Sequence, residues 1–239
     1  MPRLAKGRTT QLSAGEIARA ALGQFDTSTN ALSMRSLAAA LGVSPASIYH
    51  YFPTEEAVIR AAMALVFEEA IAEFLEAVPL TVDLLPGDPH VLLEGSALAM
   101  RRAFLRHFRI AIYIAMDPQP SSQLAGVIAI FGAAFEQLGL TGERAGEALF
   151  AFGHFVYGSI LISASTRMAD QRFNARRGGF SVVDIVPGDA PRVSKETVAS
   201  LQEVMDSSFA GTDEEERLFL TSIRALVSGL VARAGMAAG

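Results

Sequence analysis

The stretch Ser33-Met-Arg-Ser-Leu-Ala-Ala-Ala-Leu-Gly-Val-Ser-Pro-Ala-Ser-Ile-Tyr-His-Tyr-Phe-Pro53 decides the fold, because it writes two short helices around one tight turn. Ser33 is an N-cap residue, Leu37 and Leu41 fall four apart on one helical face, and Gly42 sits where a helix ends in a left-handed residue. Ser44 caps the second helix. Pro45 occupies its first turn, where a missing amide costs nothing, and Ile48 and Phe52 carry the buried face onward. Ala46, Ser47, Tyr49 and His50 are left facing outward. Small residues let a helix approach a DNA groove closely, while hydroxyls and an imidazole meet base edges or phosphates. The competing reading is an ordinary helical hairpin, a geometry many proteins use without touching DNA.

The flanks weigh against the plain hairpin. Upstream, Ser13-Ala-Gly-Glu16 is a capping box with Leu12 and Ile17 placed as a hydrophobic staple, opening a helix that runs to about Phe25. Downstream, Thr54 caps a long helix whose first turn holds Glu55 and Glu56, suited to the positive end of the helix dipole. Three helices and a connecting fourth therefore occupy about the first eighty residues.

From Leu12 to Val66 this order of elements, with the Ala-Leu-Gly-Val and Tyr-x-Tyr-Phe motifs ending at Val43 and Phe52, resembles the N-terminal domain of TetR-family transcriptional regulators. The resemblance implies that Arg35 reaches a base, that Ala46, Ser47 and Tyr49 face the major groove, and that Tyr49, His50 and Tyr51 lie near phosphates. Glu55 stands where many members carry a Lys that contacts the DNA backbone, so the N-terminus of the helix itself is the alternative phosphate holder.

Charge points the same way without any family. Residues 1–53 carry five cations (Arg3, Lys6, Arg8, Arg19, Arg35) against Glu16 and Asp26, a local +3, which leaves −8 for the remainder of a chain of net charge −5. A locally basic, globally acidic protein binds phosphates without adhering to nucleic acid everywhere. The segment from Pro2 to Thr10 holds three of those cations and no acid; it reads either as a solubilising tail or as an arm that tracks the DNA backbone or minor groove. Candidate DNA contacts are thus Lys6, Arg8, Ser33, Arg35, Ser44, Ala46, Ser47, Tyr49, His50 and Tyr51.

The 239 residues, 51% of them hydrophobic, suffice for a large core in one or two domains. There is no cysteine, which excludes a disulfide framework and a thiolate metal site, and no signal peptide is legible, so a cytoplasmic protein is expected. The longest apolar run, Ala148 to Ser165, contains His154, Tyr157 and three serines and follows Glu143, Arg144 and Glu147. It reads as a helix buried on several sides, not as a membrane span.

Beyond Val78 the periodicity predicts only helices. After a proline-rich linker, Pro79 to Pro89, they cover about His90–Phe108, Ile110–Met116, Ser121–Leu138, Thr141–Ser165, Lys195–Ser207 and Asp213–Ala234. Ser181–Val186 is read as loop, within a long connection, residues 167–193, whose arginines are expected to be solvated. The expected fold is all-α: residues 1–53 form a helix-turn-helix domain with a basic arm, 54–78 a connecting helix, and 79–239 a helical ligand-binding and dimerisation domain.

The resemblance implies that the last two long helices pair across a two-fold axis, making a homodimer matched to a pseudo-palindromic double-stranded operator. Gly146, Gly153 and Gly229 would allow close approach, and Phe150, Leu226 and Leu230 would fill the seam; the alternative is that both apolar faces are buried within one subunit. Met100, Phe104, Tyr113, Met116, Phe131, Phe135, His154 and Tyr157 are candidates to line a cavity for a small hydrophobic or aromatic ligand, with a core rich in Met and Phe as the competing reading. Arg102, Arg106 and Arg109 share one face, read as solvated. His107 and His154 have no partners at ligand spacing, so no metal and no cofactor are expected. The function expected is that of a ligand-responsive repressor. The alternative is a helical enzyme using Glu147, His154 and Tyr157, although no nucleophile, oriented base or phosphate loop accompanies them.

Overall fold

Capping sets where the first helices begin. In the computed structural model, which describes residues 12–28, 31–77, 88–115, 122–173, 194–207 and 213–236, α1 (Ala14–Thr27) starts behind a complete capping box. The Ser13 hydroxyl oxygen accepts the Glu16 amide at 3.2 Å, and the Glu16 carboxylate accepts the Ser13 amide at 2.9 Å. Ser33 and Ser36 repeat the device for α2 (Met34–Leu41). That helix stops at Gly42, whose φ of 67° lies in the left-handed region, a conformation costing a residue with a Cβ about 1–2 kcal/mol. Helix α3 (Pro45–Tyr49) begins at Ser44, whose oxygen accepts the Ser47 amide at 3.3 Å. Helix α2 packs on both α1 and α3, and Ile17, Leu37 and Ile48 are fully buried. The two short helices are therefore held by one small core.

Helix α4 (Glu55–Ala77) belongs to both compact units of the chain, which divide between Val66 and Phe67. Its N-terminal half buries Val58, Ile59, Ala62 and Met63. In the second unit, Phe67 of the same helix meets Phe104 edge-on at 4.9 Å. The second unit continues with α5 (Pro89–Arg106), α6 (Phe108–Ala111) running into a 3₁₀ turn (Ile112–Ala115), α7 (Ser122–Gln137), α8 (Glu143–Phe173), α9 (Lys195–Ser207) and α10 (Asp213–Met236). Every regular element among the described residues is helical.

Helix α8 organises this unit, packing against α5, α6, α7 and α10, while α9 lies on α10. Its buried residues Ala145, Ala148, Phe152, Val156, Ile160 and Ala164 recur every three or four positions and form one stripe. Phe150 and Ile162 remain 67% and 60% exposed. Within the chain one face of this helix is covered and the other is open, so burial on several sides, as expected between its own domain and a partner subunit, would need that partner on the open face. By length and composition alone, Glu143–Ala169 is long and apolar enough to cross a bilayer; here one face of it is core.

Two boundaries differ from those read in the sequence. Helix α5 ends at Arg106 because His107 leaves the helical region, at φ −110° and ψ 45°. Helix α8 runs eight residues past Ser165, into the expected loop, because its end is tied down: Arg167 donates to the Leu105 carbonyl at 2.9 Å and Arg109 donates to Gln171. Arg167 is therefore not a solvated loop arginine. Residues 174–193, with Ser181–Val186 and the remaining arginines of that stretch, lie outside the described residues, as do the arm, residues 78–87 and Met116.

Candidate DNA interface and ligand cavity

Helix α3 is short, so its exposed side chains are fixed by Ile48 beneath them. Tyr49 is 51% exposed, Ala46 and His50 are exposed, and Arg35 is exposed on α2. Other hydroxyls of the expected set are already engaged. Ser33 caps α2 and its hydroxyl bonds the Ser36 oxygen, Ser44 caps α3, and the Ser47 hydroxyl lies 2.9 Å from that of Ser44. Tyr51, expected near a phosphate, donates its hydroxyl hydrogen to the Leu12 carbonyl and takes the His50 ring edge-on at 5.4 Å. It joins the end of α3 to the residue from which the basic segment departs.

The start of α4 is poorly suited to hold a phosphate in place of the missing Lys. The Thr54 hydroxyl oxygen accepts the Ala57 amide at 3.2 Å. The Glu56 carboxyl is held below the usual carboxylate range, first by its own backbone amide and then by the Thr54 hydroxyl. The helix-end donors are therefore shared with two neighbouring side chains, and the first turn carries two carboxylates.

In the second unit, α5, α7 and α8 enclose a cavity of about 360 Å³. Met100, Phe131, His154 and Tyr157, all expected ligand residues, line it. Gly146, Phe150 and Gly153, expected instead at a dimer seam, line it too, because the cavity reaches the open face of α8. Burial pushes the Tyr157 phenol upward, so it stays a neutral hydrogen-bond donor at ordinary pH. His154 Nδ1 lies 2.9 Å from the Phe150 carbonyl oxygen, which only accepts, so Nδ1 carries the hydrogen and Nε2 of the neutral ring is the acceptor.

Three expected wall residues are elsewhere. Phe104 and Phe135 are fully buried core, packed edge-on against Phe67 and Phe152, and Tyr113 lies half-buried in the 3₁₀ turn outside the lining. Ile128 and Phe152 line the cavity as well, and Ser96, Ala97, Leu149 and Val156, which no sequence signal marks, complete the wall. Nothing in a short polar or aliphatic side chain marks it as cavity-facing. Leu226 and Leu230 of the expected seam are half-buried and Gly229 is exposed.

Arg102 and Arg106 of α5 are exposed, as a solvated stripe would be, and each is also ion-paired. Arg106 bonds Glu73 at 2.8 Å, Arg102 pairs with Glu216 and Glu73, and His107 Nε2 lies 3.1 Å from Glu69. Glu147 is exposed and does not line the cavity that His154 and Tyr157 share, so the three residues of an enzyme reading are not gathered. Among the described residues no group of three or more His, Cys, Asp or Glu is placed to hold a metal ion.

The profile of bacterial regulatory proteins of the tetR family matches residues 17–62, and that of the tetracyclin repressor-like C-terminal domain matches residues 87–234, more than half of the chain. The chain belongs to the TetR family. As a TetR-family member it is a DNA-binding transcriptional regulator and not an enzyme. Solved structures share its fold. The Streptomyces coelicolor TetR-family protein ActR, in complex with actinorhodin, is 24% identical over 95% of this chain and 99% of its own, with a TM-score of 0.68. A possible TetR-family transcriptional regulator from Streptomyces coelicolor A3(2) is 20% identical over 92% and 99%, with a TM-score of 0.67. TetR from Acinetobacter baumannii AYE is 23% identical over 92% and 96%, with a TM-score of 0.60. No curated protein matches the chain.

Proposed function

We propose that the protein is a cytoplasmic, homodimeric repressor that binds a pseudo-palindromic operator through α2 and α3 and lets go when a small hydrophobic or aromatic molecule enters the cavity between α5, α7 and α8. The observation that carries this reading is the cavity itself. It has the size of a small-ligand site, its wall is mostly apolar, and Ser96, His154 and Tyr157 supply a few polar anchors. Solved relatives have been seen with actinorhodin and with minocycline, both bound to proteins of this fold.

The open face of α8 supports the dimer. Gly146, Gly153 and Gly158 lie inside that helix, where each glycine costs roughly 0.5–1 kcal/mol relative to alanine, yet beyond the helix's own backbone and the adjoining residues nothing lies within 4 Å of a Cβ built on any of them. Packing within the chain does not require them, and they leave room for a partner helix to approach beside the exposed Phe150. Coupling to DNA would run along α4. Its Glu69 and Glu73 are bonded to His107 and Arg106 at the end of α5, whose Met100 faces the cavity, and its other end starts at Glu55, just after α3. A ligand that favours a shifted α5 would shift α4 and with it the recognition helices.

The test uses labelled operator DNA and a panel of planar aromatic compounds. Compounds that raise the melting temperature are expected to release DNA, and Ser96→Phe, which fills the cavity, is expected to abolish release while leaving DNA binding intact. A compound that occupies the cavity by calorimetry and leaves DNA affinity unchanged contradicts the proposal.

A further inference from the structure

A second cavity, of about 430 Å³, lies between α5, α8, α9 and α10, and its chemistry differs from that of the first. Arg101 is 4% exposed and lines it. Its Nε donates to Ser159 at 3.3 Å, and its Nη2 donates to Ser163 at 3.0 Å and to Glu215, itself 5% exposed. Nη1 makes no hydrogen bond among the described residues. Since no fully enclosed side-chain nitrogen or oxygen among the described residues lacks a partner, Nη1 is not fully enclosed, and it is the donor that Arg101 has left for a molecule in the cavity it lines.

The charges around it do not balance. Arg167 Nη2 approaches the far oxygen of the same Glu215 at 3.9 Å, so two guanidiniums share one carboxylate. The neighbouring Glu216 is already matched by Arg102. Among the described residues the cluster thus sets two guanidiniums against one carboxylate, and the burial of Arg101 strengthens its pull on an anion. Phe155, Ile162, Val204 and Leu218 supply an apolar wall facing that charge.

We infer that this second cavity binds an amphipathic organic acid, its carboxylate on Arg101 Nη1 and its apolar body against α9 and α10. His154 borders both cavities, which places the acid beside the ligand of the first and lets the two influence each other through one imidazole. The second site stands whether or not the first releases DNA.

The test is calorimetry without DNA on the full chain, with 1-naphthoate and its neutral counterpart 1-naphthylmethanol as probes. Naphthoate is expected to bind at one equivalent per chain, about tenfold or more tighter than the alcohol. Val204→Trp, which narrows this cavity, is expected to weaken naphthoate by a similar factor, while Ser96→Phe, in the first cavity, leaves it unchanged. The paired variant Arg101→Met with Glu215→Met removes both buried charges together, so neither is stranded, and leaves only the part-exposed Arg167; it is expected to keep a cooperative melt and to lose most of the preference for acid over alcohol. Equal binding of the two probes to the unaltered chain, no binding of naphthoate, acetate binding as tightly as naphthoate, or loss of naphthoate in Ser96→Phe but not in Val204→Trp would each overturn the inference.

Discussion

Tyr49 and Tyr51 are two residues apart and have opposite duties. Tyr49 projects from α3 with half its surface exposed, while Tyr51 turns its hydroxyl to the Leu12 carbonyl. Tyr49→Ala and Arg35→Ala are therefore expected to weaken operator binding by about 1–3 kcal/mol each, with melting temperature and oligomeric state unchanged; gel-shift titration beside thermal melts checks this. Tyr51→Phe should lower the melting temperature by the worth of one hydrogen bond, about 1 kcal/mol, and show little sequence dependence in its effect on DNA binding. At Glu55 the expected change runs the other way. Glu55→Lys supplies a cation in the turn where two acids now sit, and the slope of log affinity against log salt should steepen by about one unit. An unchanged slope would show that the start of α4 does not approach a phosphate.

At the scale of elements, Arg102 of α5 and Glu216 of α10 form the exposed counterpart of the buried Arg101–Glu215 pair one position before each. The Arg102 guanidinium, by its hydrogen bond first and its charge second, holds the Glu216 carboxyl below the usual carboxylate range. A depressed carboxyl stabilises the folded chain above its unfolded pKa, and that contribution is lost as pH falls through the folded value. Glu216→Gln should thus lower stability at neutral pH by up to about 1 kcal/mol, a part-exposed pair being screened, and the difference from the unaltered chain should vanish in acid melts below the carboxylate range. The start of each early helix was legible in the sequence because capping is local: Ser13 with Glu16 and Ser33 with Ser36 lie three residues apart. The end of α8 was not, because Arg167 is held by Leu105 and Glu215, far away in sequence. The cavity wall was half legible for the same reason. Phe131 and Phe135 share a helix and a chemistry, and only the packing of α7 on α8 and α5 decides that the first faces a cavity and the second the core.

For the whole molecule, the two compact units divide the labour of a regulator, one carrying α2 and α3 and the other the cavities, with α4 contributing to both. The proposed operator is a palindrome. That requires two copies, and the exposed Phe150, the open glycines of α8 and the half-buried Leu226 and Leu230 of α10 are the surface proposed to join them. Phe150→Glu is accordingly expected to yield a monomer by light scattering, still cooperatively folded, with operator affinity reduced far more than nonspecific affinity. The central claim, a two-fold regulator reading DNA through α3, is tested most directly by selecting bound fragments from a random double-stranded pool with the full-length protein. The expected result is an inverted repeat whose half-sites are centred about one or two helical turns apart, roughly 10 or 20 base pairs. Enrichment of a single asymmetric site, or of no sequence at all, would contradict it.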